Sequence, residues 1–219
     1  MKKIILIPAF FLLSSMLLCA DVLAQTKTRA PNKVIQLYSA PADRWITEGR
    51  FVTSPKAADV NRDRRAAQQG DVSAQFKMAL RYDLGVGVPQ NYTESVNWLR
   101  KAADQGLAEA QYNLGGMYNS GLGVSQDSAE AVLWFRKAAD QGLAEAQKNL
   151  GAMYGRGQGV PQSHAEAYVW LSIAATSGNE DAINIRDFAA SNLSPENLGL
   201  AQKRATELNR EIQQRIADK

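Results

Sequence analysis

The chain has 219 residues, and its 45% hydrophobic content is typical of one soluble globular domain. Its 25 basic and 22 acidic residues are scattered, and the densest basic stretch, 61–65, is interrupted by Asp63. Because a nucleic-acid-binding protein gathers its cations on one face, no nucleic-acid partner is expected. The chain has one cysteine, Cys19, and one histidine, His164, which argues against disulfides, cysteine-ligated metals and a histidine-based catalytic site.

The first 24 residues have the pattern of a secretory signal peptide. Two lysines precede a 15-residue apolar run, 4–18, which is too short to span a membrane. Small or medium residues at 22–24 predict cleavage after Ala24 and an exported protein, periplasmic or secreted. The alternative is a lipoprotein attached at Cys19, although the residue before it is a leucine, where lipoprotein signals carry a small residue. No later stretch is apolar enough to predict a membrane span.

Residues 25–54 show no helical period, which predicts an irregular or disordered lead-in. Within it, 33–38 could form an isolated extended segment. Residues 55–69 follow as a predicted N-terminal capping helix, because 64–69 echoes the end of a helix found later in the chain.

A 36-residue repeat is the strongest signal in the chain. Gly70 recurs at 106, 142 and 178, and Trp98 recurs at 134 and 170. The frames 70–105, 106–141 and 142–177 are identical at 12 of 36 positions. Such a repeat predicts stacked structural units that share one continuous core.

Each frame is predicted to form two helices joined by a loop that contains two glycines. In the second frame, Ala110, Leu114 and Tyr118 follow at steps of four and lie on one face of a first helix. After the loop, Asp127 or Ser128 can cap a second helix with an apolar stripe. The prediction for each unit is therefore helix, loop, helix.

Ala79, Gly115 and Gly151 occupy one equivalent site inside the first helices. Glycine is about 0.5–1 kcal/mol less favourable than alanine within a helix. Its presence twice predicts a close helix crossing, where a larger side chain would clash. The repeated tryptophans are predicted to be core residues that fill the wider space between neighbouring hairpins.

The C-terminal part of the chain departs from the repeat. Residues 178–190 begin a partial fourth unit, so that the solenoid spans 70–190, but the loop glycines are missing. Ser194-Pro195-Glu196 is a strong helix start, and apolar residues then follow at steps of three and four. We predict an amphipathic capping helix over 194–217 in a monomeric protein; the alternative is that this helix pairs with another chain.

The segment 108–142, AEAQYNLGGMYNSGLGVSQDSAEAVLWFRKAADQG, closely resembles the Sel-one-like repeat family, which is related to the tetratricopeptide repeats. The family pattern is met in all three frames, except that Met78-Ala79 replaces Leu-Gly in the first. The resemblance implies an all-α fold, a right-handed α/α superhelical solenoid of 36-residue helix-loop-helix repeats with capping helices. It also implies an adaptor role in protein complexes, often in the bacterial envelope, without naming a partner.

Several repeated features resemble catalytic or ligand sites but have simpler structural explanations. Glycine pairs such as Gly121-Leu-Gly123 look like phosphate-binding turns, yet they lie between helices and do not follow a strand. The acids at 94, 130 and 166 favour the N-terminal half of a helix. His164 is interpreted as a surface residue. No catalytic residue, metal site or cofactor is therefore expected.

The first helices leave one varied face, which is the candidate binding site. With 74, 78 and 82 buried, the opposite side of these helices would line a concave groove. Phe76 and Tyr112 are candidate anchors, because aromatic residues are enriched in binding hot spots; the alternative is that they pack on the N-terminal cap. The candidate partner-binding residues are Ser73, Phe76, Lys77, Leu80, Glu109, Tyr112, Asn113, Glu145, Lys148 and Asn149.

Three functional hypotheses follow. The favoured one is a non-catalytic scaffold or adaptor in the bacterial envelope that binds a partner protein or peptide in this groove. The second is a hydrolase of cell-wall or β-lactam substrates, by analogy with cysteine-rich relatives in the family whose cysteine pairs this chain lacks. The third is a self-assembling structural protein driven by the terminal helix.

Overall fold

The computed structural model describes residues 44–47, 50–53 and 57–218. The chain divides into two units, Met1–Ser39 and Ala40–Lys219, and every described residue belongs to the second. The predicted signal peptide and the extended segment predicted at 33–38 therefore lie outside the described residues.

Two short strands precede the helices. β1 (Arg44–Thr47) and β2 (Arg50–Thr53) pair antiparallel, with Trp45 opposite Val52. The prediction of an irregular or disordered lead-in over 25–54 is wrong for these two strands. Aromatic and β-branched residues, which favour strands, are present in both, but four residues are too few to establish a clear alternating pattern.

The predicted all-α repeat architecture is confirmed for residues 57–218, which form nine helices. The N-terminal cap is α1, three hairpins form the repeats, α8 begins a fourth unit, and α9 is the long terminal helix. Their bounds are α1 (Ala57–Gln68), α2 (Val72–Leu84), α3 (Tyr92–Asp104), α4 (Ala108–Ser120), α5 (Ser128–Ala139), α6 (Ala144–Arg156), α7 (His164–Ala175), α8 (Glu180–Ser191) and α9 (Pro195–Ala217).

The two glycines of each loop have different tasks. Gly121 ends α4 in the left-handed conformation, with φ of 73°, which glycine adopts most readily. Gly123 also has a positive φ, and a Cβ placed there would collide with the backbone of Tyr92 at the start of α3. The loops are therefore helix-to-helix turns, as predicted, and they also let each repeat approach the preceding one closely.

The predicted close crossing is confirmed inside the second and third hairpins. A Cβ on Gly115 would lie 2.9 Å from the Phe135 ring and 3.2 Å from the carbonyl oxygen of Ala131. A Cβ on Gly151 would lie 2.7 Å from the Cγ of Leu171. In these two hairpins the first and second helices thus meet at a spacing that leaves no room for a side chain, whereas the first hairpin has a buried alanine, Ala79, at this site.

Buried side chains join neighbouring units. Each of three buried glutamines, one per first helix, donates from its amide to a carbonyl at the end of the preceding second helix, at 3.1–3.2 Å. Two further glutamines at the ends of the second helices donate to the first two of these at 2.7 and 2.8 Å. We call this set the glutamine ladder: Gln75, Gln105, Gln111, Gln141 and Gln147. The tryptophans Trp98, Trp134 and Trp170 are all buried, as predicted.

The terminal helix α9 packs against α7 of the same chain. Its apolar stripe of Ala201, Ala205, Leu208 and Ile212 is buried in a cluster that includes Trp170. Beyond this stripe, Arg215 lies 3.9 Å from Asp140. The apolar face that could have paired with another chain is therefore covered from within.

Candidate functional site

The scaffold of the site is one side of the first helices. Ala74, Ala110 and Ala146, together with Met78, Leu114 and Leu150, are buried against the core. Because α2, α4 and α6 keep these inward positions, their remaining sides form one surface, here called the first-helix face: the ten candidate residues and their equivalents on α8.

The structure places the candidate residues on this face with different exposure. Ser73 and Lys77 are exposed, whereas Glu145 is buried, with 8% of its surface accessible. The prediction that Glu145 lies open in a groove is wrong, because its carboxylate is enclosed close to Tyr112 of the preceding repeat. The half-buried candidates are Phe76, Leu80, Glu109, Tyr112, Asn113, Lys148 and Asn149.

Tyr112 belongs to the packing between repeats more than to an open surface. Its ring lies 5.7 Å from the Phe135 ring, centroid to centroid, with a tilt of 47°. Burial, and then the charge of Glu145, raise the pKa of the Tyr112 hydroxyl, while a hydrogen bond with the Asn149 side chain acts in the opposite direction. A side chain held from three directions is a poor anchor for an incoming partner.

Phe76 and Lys77 lie at the N-terminal end of the face. Phe76 packs against the cluster that contains Ala67 of the capping helix. This agrees with the alternative that Phe76 packs on the N-terminal cap and does not serve as a free anchor for a partner. The Lys77 ammonium lies 3.8 Å from Asp63, a buried acid that also forms a 2.6 Å ion pair with the buried Arg81. Lys77 itself is exposed and is the most accessible cation on the N-terminal half of the face.

Polar contacts fix the middle of the face. The amide of Asn113 donates to the carbonyl oxygen of Glu109 at 2.6 Å. The ammonium of Lys148 lies 3.5 Å from the Asp181 carboxylate, which joins α6 to α8. Asp181 stands three repeats after Ser73, so the face continues onto the fourth unit.

Sequence reasoning missed the C-terminal end of the face. Phe188, on α8, occupies the position that Leu80 occupies in α2 and is 64% exposed. Its ring meets His164 edge to face, with centroids 6.4 Å apart. Extending the 36-residue period by one more frame would have found this residue.

A cavity of about 470 Å³ lies between α5, α7 and α9. Arg136 donates to the hydroxyl of Tyr154 at its edge and lies 5.4 Å from the centroid of the Trp170 ring. Burial raises the pKa of Asp140 in this cavity, and the nearby Arg215 and Arg136 oppose that rise. The cavity walls carry cations and acids in equal number, so the cavity does not favour a ligand of either sign.

The other repeated features take the structural roles proposed for them. Glu94, Glu130 and Glu166 lie in the first turns of α3, α5 and α7. Within the described residues, no group of three His, Cys, Asp or Glu side chains is arranged to hold a metal ion. Among the helices that the structure describes, none is long and apolar enough to cross a membrane.

Two-helix units that recur every 36 residues and stack around a shared core define an α/α repeat solenoid. The model of the Sel1 repeat family matches residues 72–107, 108–143 and 144–179, which are the three hairpins. The chain belongs to the Sel1 repeat family.

Solved structures agree with this assignment. A Sel1 repeat protein from Oxalobacter formigenes is 41% identical with a TM-score of 0.55, and the match covers 59% of this chain and 97% of that chain. A protective antigen present in uropathogenic Escherichia coli strains, displaying an SLR fold, is 30% identical with a TM-score of 0.53. That match covers 70% of this chain and 41% of the antigen, so this chain spans well under half of that protein.

A third structure is more distant. The cysteine-rich protein B of Helicobacter pylori is 24% identical with a TM-score of 0.47, and the match covers 57% of this chain and 96% of that chain. A likeness at this level supports no inference about function. No curated protein matches the chain.

Proposed function

We propose that this protein is a non-catalytic scaffold of the bacterial envelope that binds a partner protein or peptide along the first-helix face. The observation that carries the proposal is a face of varied side chains on a repeated support. The inward positions keep alanine and a Met or Leu from frame to frame. Each outward position changes at least once along the four units, as in Ser73, Glu109, Glu145 and Asp181, and the face ends at an exposed phenylalanine. Exposed apolar and aromatic residues with polar neighbours are typical of protein-binding surfaces.

The accessible part of the face suggests where a partner is held. Lys77 at one end and Phe188 at the other are exposed, with amides and ion pairs between them. A partner segment that carries an acidic group and an apolar group would meet complementary chemistry at the two ends. Tyr112 and Glu145 support the middle of the face from within and are not proposed as contacts.

Export is part of the proposal. The lysine pair and apolar run of the first 24 residues support cleavage after Ala24 and release into the periplasm or the medium. Fractionation of cells that produce the full chain, followed by intact mass measurement, tests this: the expected mature protein begins at Gln25. A mature protein that begins at a lipidated Cys19 would contradict release and indicate membrane anchoring.

Photocrosslinking tests the face. A photoreactive residue placed at Lys77 or at Asn113 should capture the same envelope protein, whereas one placed at the exposed Lys203 of α9 should not. The captured protein is then purified and its affinity is measured against two single variants of nearly equal exposure, Phe188→Ala and Leu200→Ala, which are 64% and 62% exposed in the parent protein.

The two variants separate a contact from a general loss of surface. Phe188→Ala should weaken binding by about tenfold or more, as truncation of an interface anchor does. Leu200→Ala should change the affinity by less than about twofold, because scattered surface apolar residues carry little energy. Equal effects of the two substitutions, or no effect of either, would remove the first-helix face as the binding site.

A further inference from the structure

The second helices carry cations at the 36-residue period, on elements different from those of the first-helix face. Each of α1, α3 and α5 has two adjacent cations at the same two positions of the unit, and all six are exposed or half-buried. We call these residues the basic ladder and each pair a rung: Arg64 and Arg65, Arg100 and Lys101, Arg136 and Lys137.

The ladder cations differ from the other cations of the chain in their partners. None of the six forms an ion pair with a carboxylate within residues 59–218. Of the ten other lysines and arginines in that range, seven do: Arg62, Lys77, Arg81, Lys148, Arg186, Arg204 and Arg215. The other three, Arg156, Lys203 and Arg210, also lack such an ion pair, so the ladder differs in its regularity: all six of its cations lack one.

In the second and third rungs the cations contact aromatic side chains and not carboxylates. The ammonium of Lys101 lies 4.4 Å from the centroid of the Trp98 ring, and that of Lys137 lies 3.8 Å from the Trp134 ring. Arg100 donates to the hydroxyl of Tyr118 at 2.6 Å. A cation–π contact orients a cation without cancelling its charge, so the rungs keep a positive charge for another molecule.

The first rung is held by amide and carbonyl groups. Arg64 donates to the side chain of Asn61, and Arg65 donates to the carbonyl oxygen of the same residue, both at 3.3 Å. These contacts are also uncharged on the acceptor side. The first two rungs thus have oriented cations and neutral partners, whereas Arg136 of the third rung also interacts electrostatically with the Asp140 carboxylate.

Acids lie close to the ladder, toward the ends of the same helices. Glu94 and Glu130 lie in the first turns of α3 and α5, and Asp104 and Asp140 lie at the opposite ends of these helices. A partner that crosses the helices along the rungs would meet cations, whereas one that spreads toward the helix ends would meet like charge. This arrangement favours a narrow anionic strand over a broad anionic surface.

The ladder has a definite end. The equivalent residues of α7 are Ser172 and Ile173, and α9 packs on this helix. The anionic strand is therefore limited to three rungs. Successive rungs lie on alternate helices, with a first helix packed between them. Because directly packed helices already lie about 8–10 Å apart and an extended chain advances about 3.3 Å per residue, an extended peptide needs several residues to pass from one rung to the next.

We propose that the basic ladder binds an acidic, extended segment of a protein partner, whose carboxylate side chains are several residues apart. This goes beyond the scaffold proposal, because it adds a second surface on different helices. A duplex nucleic acid fits less well, because its charges follow one another at about 1.7 Å along the axis and spread over a wide surface that includes the flanking acids.

Two synthetic peptides of identical composition test the spacing. One has single glutamates evenly spaced among serines and threonines, several residues apart, and the other has the same glutamates in one contiguous block. Fluorescence anisotropy with the mature protein at low salt should show that the spaced peptide binds about fivefold more tightly, and added salt should weaken it.

Charge-matched variants locate the binding. Lys101→Gln with Lys137→Gln should lower the affinity for the spaced peptide by about fivefold, because two exposed charge contacts are lost. Lys203→Gln with Arg210→Gln removes the same charge from exposed positions of α9 and should change it by less than about twofold. Circular dichroism checks that both variants fold.

Three outcomes would overturn the proposal. They are equal affinity for the two peptides, equal losses in the two double variants, and tighter binding of a duplex DNA of the same charge than of the spaced peptide. Each of these would show that the cations act only through their general positive field or serve a nucleic acid. None of them bears on the first-helix face, whose test uses Phe188.

Discussion

The second helices α5 and α7 stand at the same place in consecutive repeats, yet their outer sides differ completely. Leu133 of α5 is 54% exposed, whereas its counterpart in α7, Val169, is 2% exposed. Lys137 of α5 is exposed, and its counterpart Ile173 is buried. Their inner sides, which carry the buried tryptophans, remain alike. The outer residues of α7 are therefore apolar because α9 packs on them, while the inner residues of both helices are apolar because they face the core shared by the repeats.

The largest expected effect comes from a substitution that gives α7 the residue found at the equivalent position of α5. Ile173→Lys places the residue found at 137 beneath α9, where it would be an unpaired buried charge. We expect the free energy of unfolding, measured in urea, to fall by about 3 kcal/mol or more.

The reverse change is the control for that variant. Lys137→Ile leaves the side chain on an uncovered helix, so stability should change by less than about 1 kcal/mol. Similar losses in the two variants would show that α9 does not shield α7 in solution.

The second test acts from the side of α9. Ile212 is fully buried against α7, and Ile212→Ala should reduce the free energy of unfolding by about 3 kcal/mol through lost burial and a new cavity. Leu200→Ala, on the exposed side of the same helix, should stay within about 0.5 kcal/mol of the parent. If Leu200→Ala proved the more damaging, the orientation assigned to α9 would be incorrect.

The third test measures how tightly the first and second helices pack on each other within a hairpin. Gly151→Ala would bring a Cβ to 2.7 Å from Leu171 of α7, and we expect a loss of about 1–3 kcal/mol. Gly116→Ala meets no atom within 4 Å and should raise stability by about 0.5–1 kcal/mol. Thermal unfolding followed by circular dichroism distinguishes the two, and a stabilised Gly151→Ala would contradict the close crossing.

The smallest expected effect is on the pH dependence of stability, through Asp140 at the end of α5, which lies near Arg215 of α9. Burial raises the pKa of Asp140, with Arg215 and Arg136 opposing the rise. Since the folded protein then keeps this proton to a higher pH than the unfolded chain, the contribution of Asp140 to stability is present at low pH. It is lost as the pH rises from the unfolded pKa, about 3.9, through the folded one.

The variant Asp140→Asn removes this dependence. Relative to the parent, its free energy of unfolding should improve as the pH rises from about 4 to 7. Asp104→Asn, at the equivalent exposed position of α3, is the matched control. Parallel pH profiles for the parent and Asp140→Asn would contradict the raised pKa.

The repeats, the capping helices and the close crossing could be predicted because each rests on a local pattern. Glycine at 115 and 151 indicated the crossing, since nothing else explains a poor helix former at one repeated site. The apolar character of 167–175 is a further local signal, because a helix that is apolar all round must be buried by a neighbouring element. It indicates where α9 packs.

Other features depend on how neighbouring units are offset, which no local pattern encodes. Tyr112 and Glu145 lie 33 residues apart, and only the stacking of α4 on α6 shows that they meet. The basic ladder was missed for the same reason. Along the chain the densest stretch of cations is 61–65, whereas stacking brings cations 36 residues apart onto successive rungs.

The glutamine ladder implies that this protein can be lengthened. Each junction needs only a glutamine on the first helix and a backbone carbonyl at the end of the preceding second helix. A duplicate of residues 106–141 inserted after Gln141 would supply both groups at both new junctions. An added unit beyond α8 would not, because Ile183 stands where the next glutamine should be. We expect the internal duplicate to unfold as one cooperative body at a higher temperature, and the terminal addition to melt on its own.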